Sequence, residues 1–237
     1  MKVLIACEES QRVCIEFRKR GHEAYSADIQ EPSGGHPEWH ILGDVLRILD
    51  GGRFATMDGI VHEVDRWDLL IAHPPCTFLT VAGAANIPKH PDRVEKGFTA
   101  KAFFMKFINA DCNRICVENP APMKRFELPK YTQICRPYWF GENNNKPICL
   151  WLKNLPPLVP TNKIKYNPDN IYWIHKRTGK KKSSSKWYNQ NTKNHSLHRS
   201  KTFQGFAAAM AEQWGCMPEY EVQLSLFDMK EEKHDTI

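Results

Sequence analysis

The chain has 237 residues, 41% of them apolar and 25% charged, with a formal net charge of +6. That length supports one good-sized core and little more. The composition is that of a globular protein, and no apolar run approaches the ~20 residues that span a bilayer.

The N-terminal stretch MKVLIACEES turns acidic too soon for a signal peptide, so a cytoplasmic protein is expected. The eight cysteines include no C-x-x-C pair. Reduced, buried thiols are therefore expected for most of them, rather than a zinc site. Charge is uneven: residues 160–201 hold eleven Lys or Arg and one acid, which makes that segment +10 and leaves −4 on the rest. An acidic body carrying one basic segment points to a polyanion partner.

In chain order, KVLIAC has the short continuous apolar pattern of a buried parallel strand. Ser10 is placed to cap a helix over QRVCIEFRKR, which Gly21 would stop. HEAYSADI predicts a second strand ending at Asp28, and Asp44 opens a helix over VLRIL. WDLLIA predicts a strand that runs into HPPC. RVEKGFTAKAFFMKFINAD predicts a helix with Phe103, Phe107 and Ile108 on its apolar side, and NRICVENP a strand ending at Glu118 and Asn119. A further strand over ICLWLK is closed by prolines, and KTFQGFAAAMAEQWG is a helix that returns to the body. Alternation of strands and helices implies a doubly wound, mostly parallel α/β sheet. Such sheets bind ligands beyond the carboxyl ends of their strands, where Glu8, Asp28, Asp44, Cys76 and Glu118 all fall. Four parts are expected: a core over 1–158, a basic aromatic-bearing segment over 159–201, the returning helix over 202–216, and a polar tail over 217–237.

A cysteine on a proline-stiffened loop at a strand end is a candidate nucleophile, with His73 close in sequence. A carboxylate at the end of a neighbouring strand is costly unless it meets nitrogen donors of a ligand. Here the sequence resembles the DNA cytosine-5 methyltransferase family. The nucleophile motif of that family, roughly D-L-L-x-G-G-x-P-C-Q-x-F-S-x-A-G, is similar to DLLIAHPPCTFLTVAG, with Pro75, Cys76, Thr80, Ala82 and Gly83 in step. Its E-N-V resembles Glu118-Asn119-Pro120, and its Q-x-R-x-R falls on NNKPI, with Lys146 in place of an arginine. The chain is similar above all to short methyltransferase-like proteins of phages and prophages.

The resemblance implies a Rossmann-like fold that uses S-adenosylmethionine as cofactor. It makes Cys76 the nucleophile that adds to carbon 6 of a flipped cytosine and Glu118 the acid at ring nitrogen 3. Asn119 would stand beside it and Lys146 by the ring carbonyl. The cofactor would lie across the strand ends, against Ala6, Cys7, Glu8, Glu9, Asp28, Ile29, Asp44, Val45, His73, Pro74 and Pro75. Asp28 would meet the ribose and Asp44 the adenine, and Asp44 also suits a helix N-cap. The basic segment occupies the place of the family's target-recognition region. DNA contact is expected at Thr80, Lys176, Arg177, Lys180, Lys181, Lys182, Lys186 and Trp187.

The chain departs from the family in its first loop, ACEES, which has no glycine, so Glu8 and Glu9 would hold the methionine end. Thr77 replaces the glutamine after the cysteine, and Lys146 and Ile148 replace two arginines. QLSLF resembles the peptide by which bacterial proteins dock on the replication sliding clamp, through Gln223, Leu224, Leu226 and Phe227. A monomer is expected. Three other readings stay open: an exocyclic-amino methyltransferase using the HPPC turn, a decayed fold retained for DNA and clamp binding, and action on RNA or free nucleotides, which the basic segment disfavours.

Overall fold

The structure is a computed structural model and describes residues 1–168, 170–174, 178–185 and 201–217. It is a mixed α/β fold on a largely parallel central sheet. The sheet is formed by β1 (Lys2–Ala6), β2 (Glu23–Asp28), β3 (His40–Leu42), β6 (Leu69–Ala72), β7 (Ile115–Asn119), β8 (Gln133–Cys135) and β9 (Ile148–Lys153). Their order is β3-β2-β1-β6-β7-β9-β8. The first five strands are parallel, and β9 runs antiparallel to both β7 and β8. From β1 the chain passes to β2 and β3 on one side, while β6, β7, β9 and β8 lie on the other, so the order reverses between β1 and β6. At such a reversal the loops leaving the carboxyl ends part and open a crevice.

The continuous apolar runs of β1, β6 and β7 follow from burial on both faces. Val3, Ile5, Leu69, Ile71 and Cys116 pack on one face against Phe17 of α1 (Arg12–Lys19) and Phe206, Met210 and Trp214 of α3 (Gln204–Gly215). Leu4, Leu70, Ile115 and Val117 pack on the other, against Phe104 and Phe107 of α2 (Arg93–Ile108). That second face is extended by the hairpin of β4 (Gly52–Ala55) and β5 (Val61–Val64), whose Phe54 meets the Tyr25 ring edge-on and whose His62 lies tilted against it. The hairpin of β10 (Asn170–Ile174) and β11 (Lys181–Ser185) forms a separate two-stranded sheet within the basic segment.

Several local expectations change. Ser10 does not cap α1: Gln11 sits at the N-cap in a left-handed conformation, and the Glu8 carboxylate accepts from the backbone N–H of Val13 and Cys14 at 2.7 and 3.2 Å. A carboxylate reaches two orphan donors where a hydroxyl reaches one, and negative charge suits a helix N-terminus. The Asp44 segment forms only one 3-10 turn, Val45–Ile48, which Asp44 caps by accepting from the Leu46 N–H at 3.0 Å. On α2 the fully buried rings are Phe104 and Phe107, while Phe103 is half-buried. The returning helix α3 begins so close to the body that a Cβ on Gly205 would collide with the Phe140 carbonyl. Among the described residues no helix is long and apolar enough to cross a membrane.

Candidate active site

The loop after β6 carries Cys76. His73 continues the strand by donating its N–H to the Ala6 carbonyl at 2.9 Å. Pro74 and Pro75 then fix the backbone, and the Cys76 carbonyl accepts from the N–H groups of Leu79 and Thr80 at 3.1 and 3.2 Å, closing a tight turn. The segment after β7 pins that turn. Val81 N–H donates to the Ala121 carbonyl at 3.1 Å, Met123 N–H to the Leu79 carbonyl at 2.7 Å, and the Asn119 amide to the Pro74 carbonyl at 2.8 Å. From α2, the Arg93 guanidinium donates to the Thr77 carbonyl at 2.8 Å and lies 4.8 Å from the Phe78 ring centre. The cysteine loop is therefore held from three sides.

A cavity of about 770 Å³ opens at the carboxyl ends of these strands. That is within the range of small-molecule and cofactor sites. Cys76, Glu118, Asn119 and Lys146 line one part of it, and Cys7, Glu8, Glu9, Asp28, Ile29, Asp44 and Val45 another, with His73, Pro74 and Pro75 between. Of the expected catalytic and cofactor positions, only Ala6 does not line it. Ala6 is fully buried in β1 and contributes its carbonyl to His73. The cavity also takes in Ser10, Thr77, Phe103, Lys201 and Thr202. Phe103 escaped notice because it reads as one more core ring of α2. Lys201 and Thr202 escaped because only tertiary folding brings the start of the returning segment here. Lys201 reaches the Ser33 hydroxyl at 2.8 Å and the Glu9 carboxylate at 3.9 Å. The Thr202 carbonyl accepts from Arg12 of α1 at 2.6 Å.

The glycine-free first loop still makes its turn, because Cys7 adopts a left-handed conformation at φ 58° and Gln11 at φ 56°. Non-glycine residues there cost of order 1–2 kcal/mol each, a strain concentrated at functional sites. Burial, and then the charges of Asp28 and Asp44, push the Cys7 thiol up, which disfavours it as a thiolate.

His73 and Glu118 form the electrostatic centre. His73 Nδ1 lies 3.2 Å from Glu118 Oε2. Burial alone would pull His73 down, but the hydrogen bond and charge of Glu118, with Glu8 beyond, outweigh it and leave His73 above its ordinary value. Burial alone would push Glu118 up, but the His73 hydrogen bond, then the charges of Lys146 and His73, outweigh it and hold Glu118 below the usual range. His73 thus pairs with the acid Glu118. Burial raises Glu8 to about 7, opposed first by the charge of His73 and then by its two backbone hydrogen bonds. Above 4.5 the unfolded chain has released a proton that the folded protein keeps, so stability falls as pH rises from 4.5 to 7. The loss sums to about 3 kcal/mol. Chemical denaturation across that range is expected to show the slope in the wild type and a flatter one in Glu8→Gln; equal slopes would contradict it.

Of the expected DNA contacts, Lys180 is exposed in the turn between β10 and β11, and Lys181 and Lys182 open β11. Thr80 is 7% exposed, its backbone bridged to Pro122, so it lies beneath the surface rather than on it. Lys176, Arg177, Lys186, Trp187 and residues 223–227 fall outside the described residues. Among the described residues no group of three or more His, Cys, Asp or Glu side chains could hold a metal ion.

No protein-family model and no curated protein matches the chain. Among solved structures it is similar to the Entamoeba histolytica methyltransferase EhMeth, at 11% identity and a TM-score of 0.42, over 70% of this chain and 57% of that one. The chain thus spans just over half of that neighbour's length.

Proposed function

We propose that this protein is a DNA cytosine-5 methyltransferase that uses S-adenosylmethionine within a doubly wound, Rossmann-like fold. One observation carries the reading: Cys76 and Glu118, on the loop after β6 and at the end of β7, line the same cavity as the acids Asp28 and Asp44 at the β2–β3 side. A nucleophile and a carboxylate can then address two edges of one ring while the acids hold hydroxyl and amino donors.

The residues fit the cofactor. Asp28 and Asp44 are carboxylates on the cavity wall, and Ile29 offers an apolar side chain, 79% exposed, to cover a planar base. The left-handed turn at Cys7 lets backbone approach where a glycine would otherwise be needed. When bound, S-adenosylmethionine supplies an electrophilic methyl group. Cytosine carbon 5 is a poor nucleophile until a thiolate adds to carbon 6 and makes the ring enamine-like. Cys76 performs that addition from a loop too constrained to drift, which provides the near-attack geometry. Glu118 grips nitrogen 3 and the exocyclic amino group, and Lys146 faces the ring carbonyl. These atoms are hidden in a duplex, so the base must leave the stack. The basic segment, with its hairpin of β10 and β11, supplies phosphate contacts and aromatic stacking.

Incubation with DNA and labelled S-adenosylmethionine, followed by nucleoside mass analysis, tests the proposal. 5-Methylcytosine is expected; a methyl on an exocyclic nitrogen, or no transfer, would contradict it. Residues 223–227 are proposed to dock on a sliding clamp. Purified bacterial clamp should be recovered with the wild type and lost with Leu226→Ala plus Phe227→Ala; equal recovery would end that part.

A further inference from the structure

We infer that His73 holds the proton that this site delivers to its base, with Glu118 as the conduit, so that the acid function belongs to a histidine–carboxylate pair rather than to a lone glutamic acid. This rests on the cytosine-5 reading of the cavity.

The pair is built by the fold. β6 and β7 are adjacent and in register, with Ala72 opposite Val117, so the residues that follow, His73 and Glu118, stand side by side. Their contact is 3.2 Å, and the His73 side chain is 9% exposed against 17% for Glu118. His73 Nε2 is a buried nitrogen with no hydrogen-bond partner. A buried imidazole with one ring nitrogen on a carboxylate and the other unpaired is costly as mere packing. Three charged groups face it: Glu118 from β7, Glu8 from the loop after β1, and Lys146 from the loop before β9. The Glu118 carboxylate, joined by Glu8 where that group is ionised, outweighs the one ammonium and favours the imidazolium, and the imidazolium in turn keeps Glu118 ionised.

An ionised Glu118 has no proton of its own to give. When the Cys76 sulfur bonds to carbon 6, electron density moves to nitrogen 3. The proton on His73 Nδ1 passes to Glu118 Oε2, and the carboxylic acid so formed turns and gives that same proton to nitrogen 3. The Nδ1–H bond breaks, the nitrogen 3–hydrogen bond forms, His73 becomes neutral and Glu118 ends as it began. Reversal accompanies expulsion of the thiolate after carbon 5 has lost its proton. His73 acts through Glu118 and is a positioning residue.

The test compares pH–rate profiles of single-turnover methyl transfer in the full-length wild type, His73→Gln and His73→Asn. Asn can still donate a hydrogen bond to Glu118 but cannot release a proton. In both variants Glu118 must carry the proton itself, which its burial permits only at acid pH. The descending limb is expected to move to lower pH, with a loss of about 100-fold at pH 8 and about 10-fold or less at pH 6. A profile of unchanged shape, or rescue to wild-type behaviour by Asn, would overturn the inference alone; absence of transfer by the wild type overturns it together with the cytosine-5 reading. NMR titration of the histidines provides a readout without turnover. His73 should titrate above the ordinary value of about 6.5 and fall in Glu118→Gln; an unmoved titration overturns the pairing.

Discussion

Cys76→Ala is expected to abolish methyl transfer, by about 10⁴-fold or more, while the protein stays folded and still binds DNA and cofactor. The loop at Cys76 is held by backbone hydrogen bonds to Ala121 and Leu79, by the Asn119 amide on Pro74 and by Arg93 on Thr77. None of these uses the sulfur, and the side chain is only partly buried, so its loss leaves the turn intact. What disappears, on the proposed mechanism, is the covalent step that makes carbon 5 nucleophilic. Cys7 lines the same cavity but cannot substitute, because burial and the neighbouring acids disfavour its thiolate. Transfer is measured as label in DNA, and binding by calorimetry and mobility shift. Residual transfer above about one part in a hundred would exclude an obligatory sulfur adduct.

The second large effect belongs to Glu118. Glu118→Gln keeps the size and one acceptor but removes the charge that pairs with His73, so neither the proton path nor the anionic grip on the ring survives. A fall of about 10²–10⁴-fold in the single-turnover rate is expected, with cofactor affinity little changed. The ion pair sets the window for the wild type. It exists above the lowered Glu118 value and below the raised His73 value, and it is lost when falling pH protonates the carboxylate or rising pH neutralises the imidazole. A loss of under about threefold would show that Glu118 does not take part in the chemical step.

The sequence carried the central strands and the three helices because each buries an uninterrupted or periodic apolar set: VLIA, LLIA and ICV for strands, and Val13 with Phe17 for α1. It was silent on β3 and β8, three residues each, which become strands only by pairing with β2 and β9. It was also silent on β4 and β5, where a single buried residue per strand leaves no alternation to detect. The cavity lining was legible because strand ends fall where apolar runs stop, and those ends are where such a sheet opens. The helix cap was misassigned because the rule favours the nearest hydroxyl, whereas Glu8 reaches the same donors from farther back along the chain. The two strand ends were expected to be neighbours, but the contact of His73 with Glu118 was not read. Forty-five residues separate them, and only the parallel pairing of β6 with β7 sets them together.

Mass analysis of a trapped complex addresses the sulfur–cytosine bond most directly. In DNA whose target cytosine carries fluorine at carbon 5, no proton can leave after methyl transfer, so the adduct should persist. The account predicts that, after incubation with S-adenosylmethionine and digestion, the peptide containing Cys76 carries the mass of a methylated fluorocytosine nucleotide. Attachment at any other residue, or methylated natural DNA with no adduct on the fluorinated strand, would contradict it.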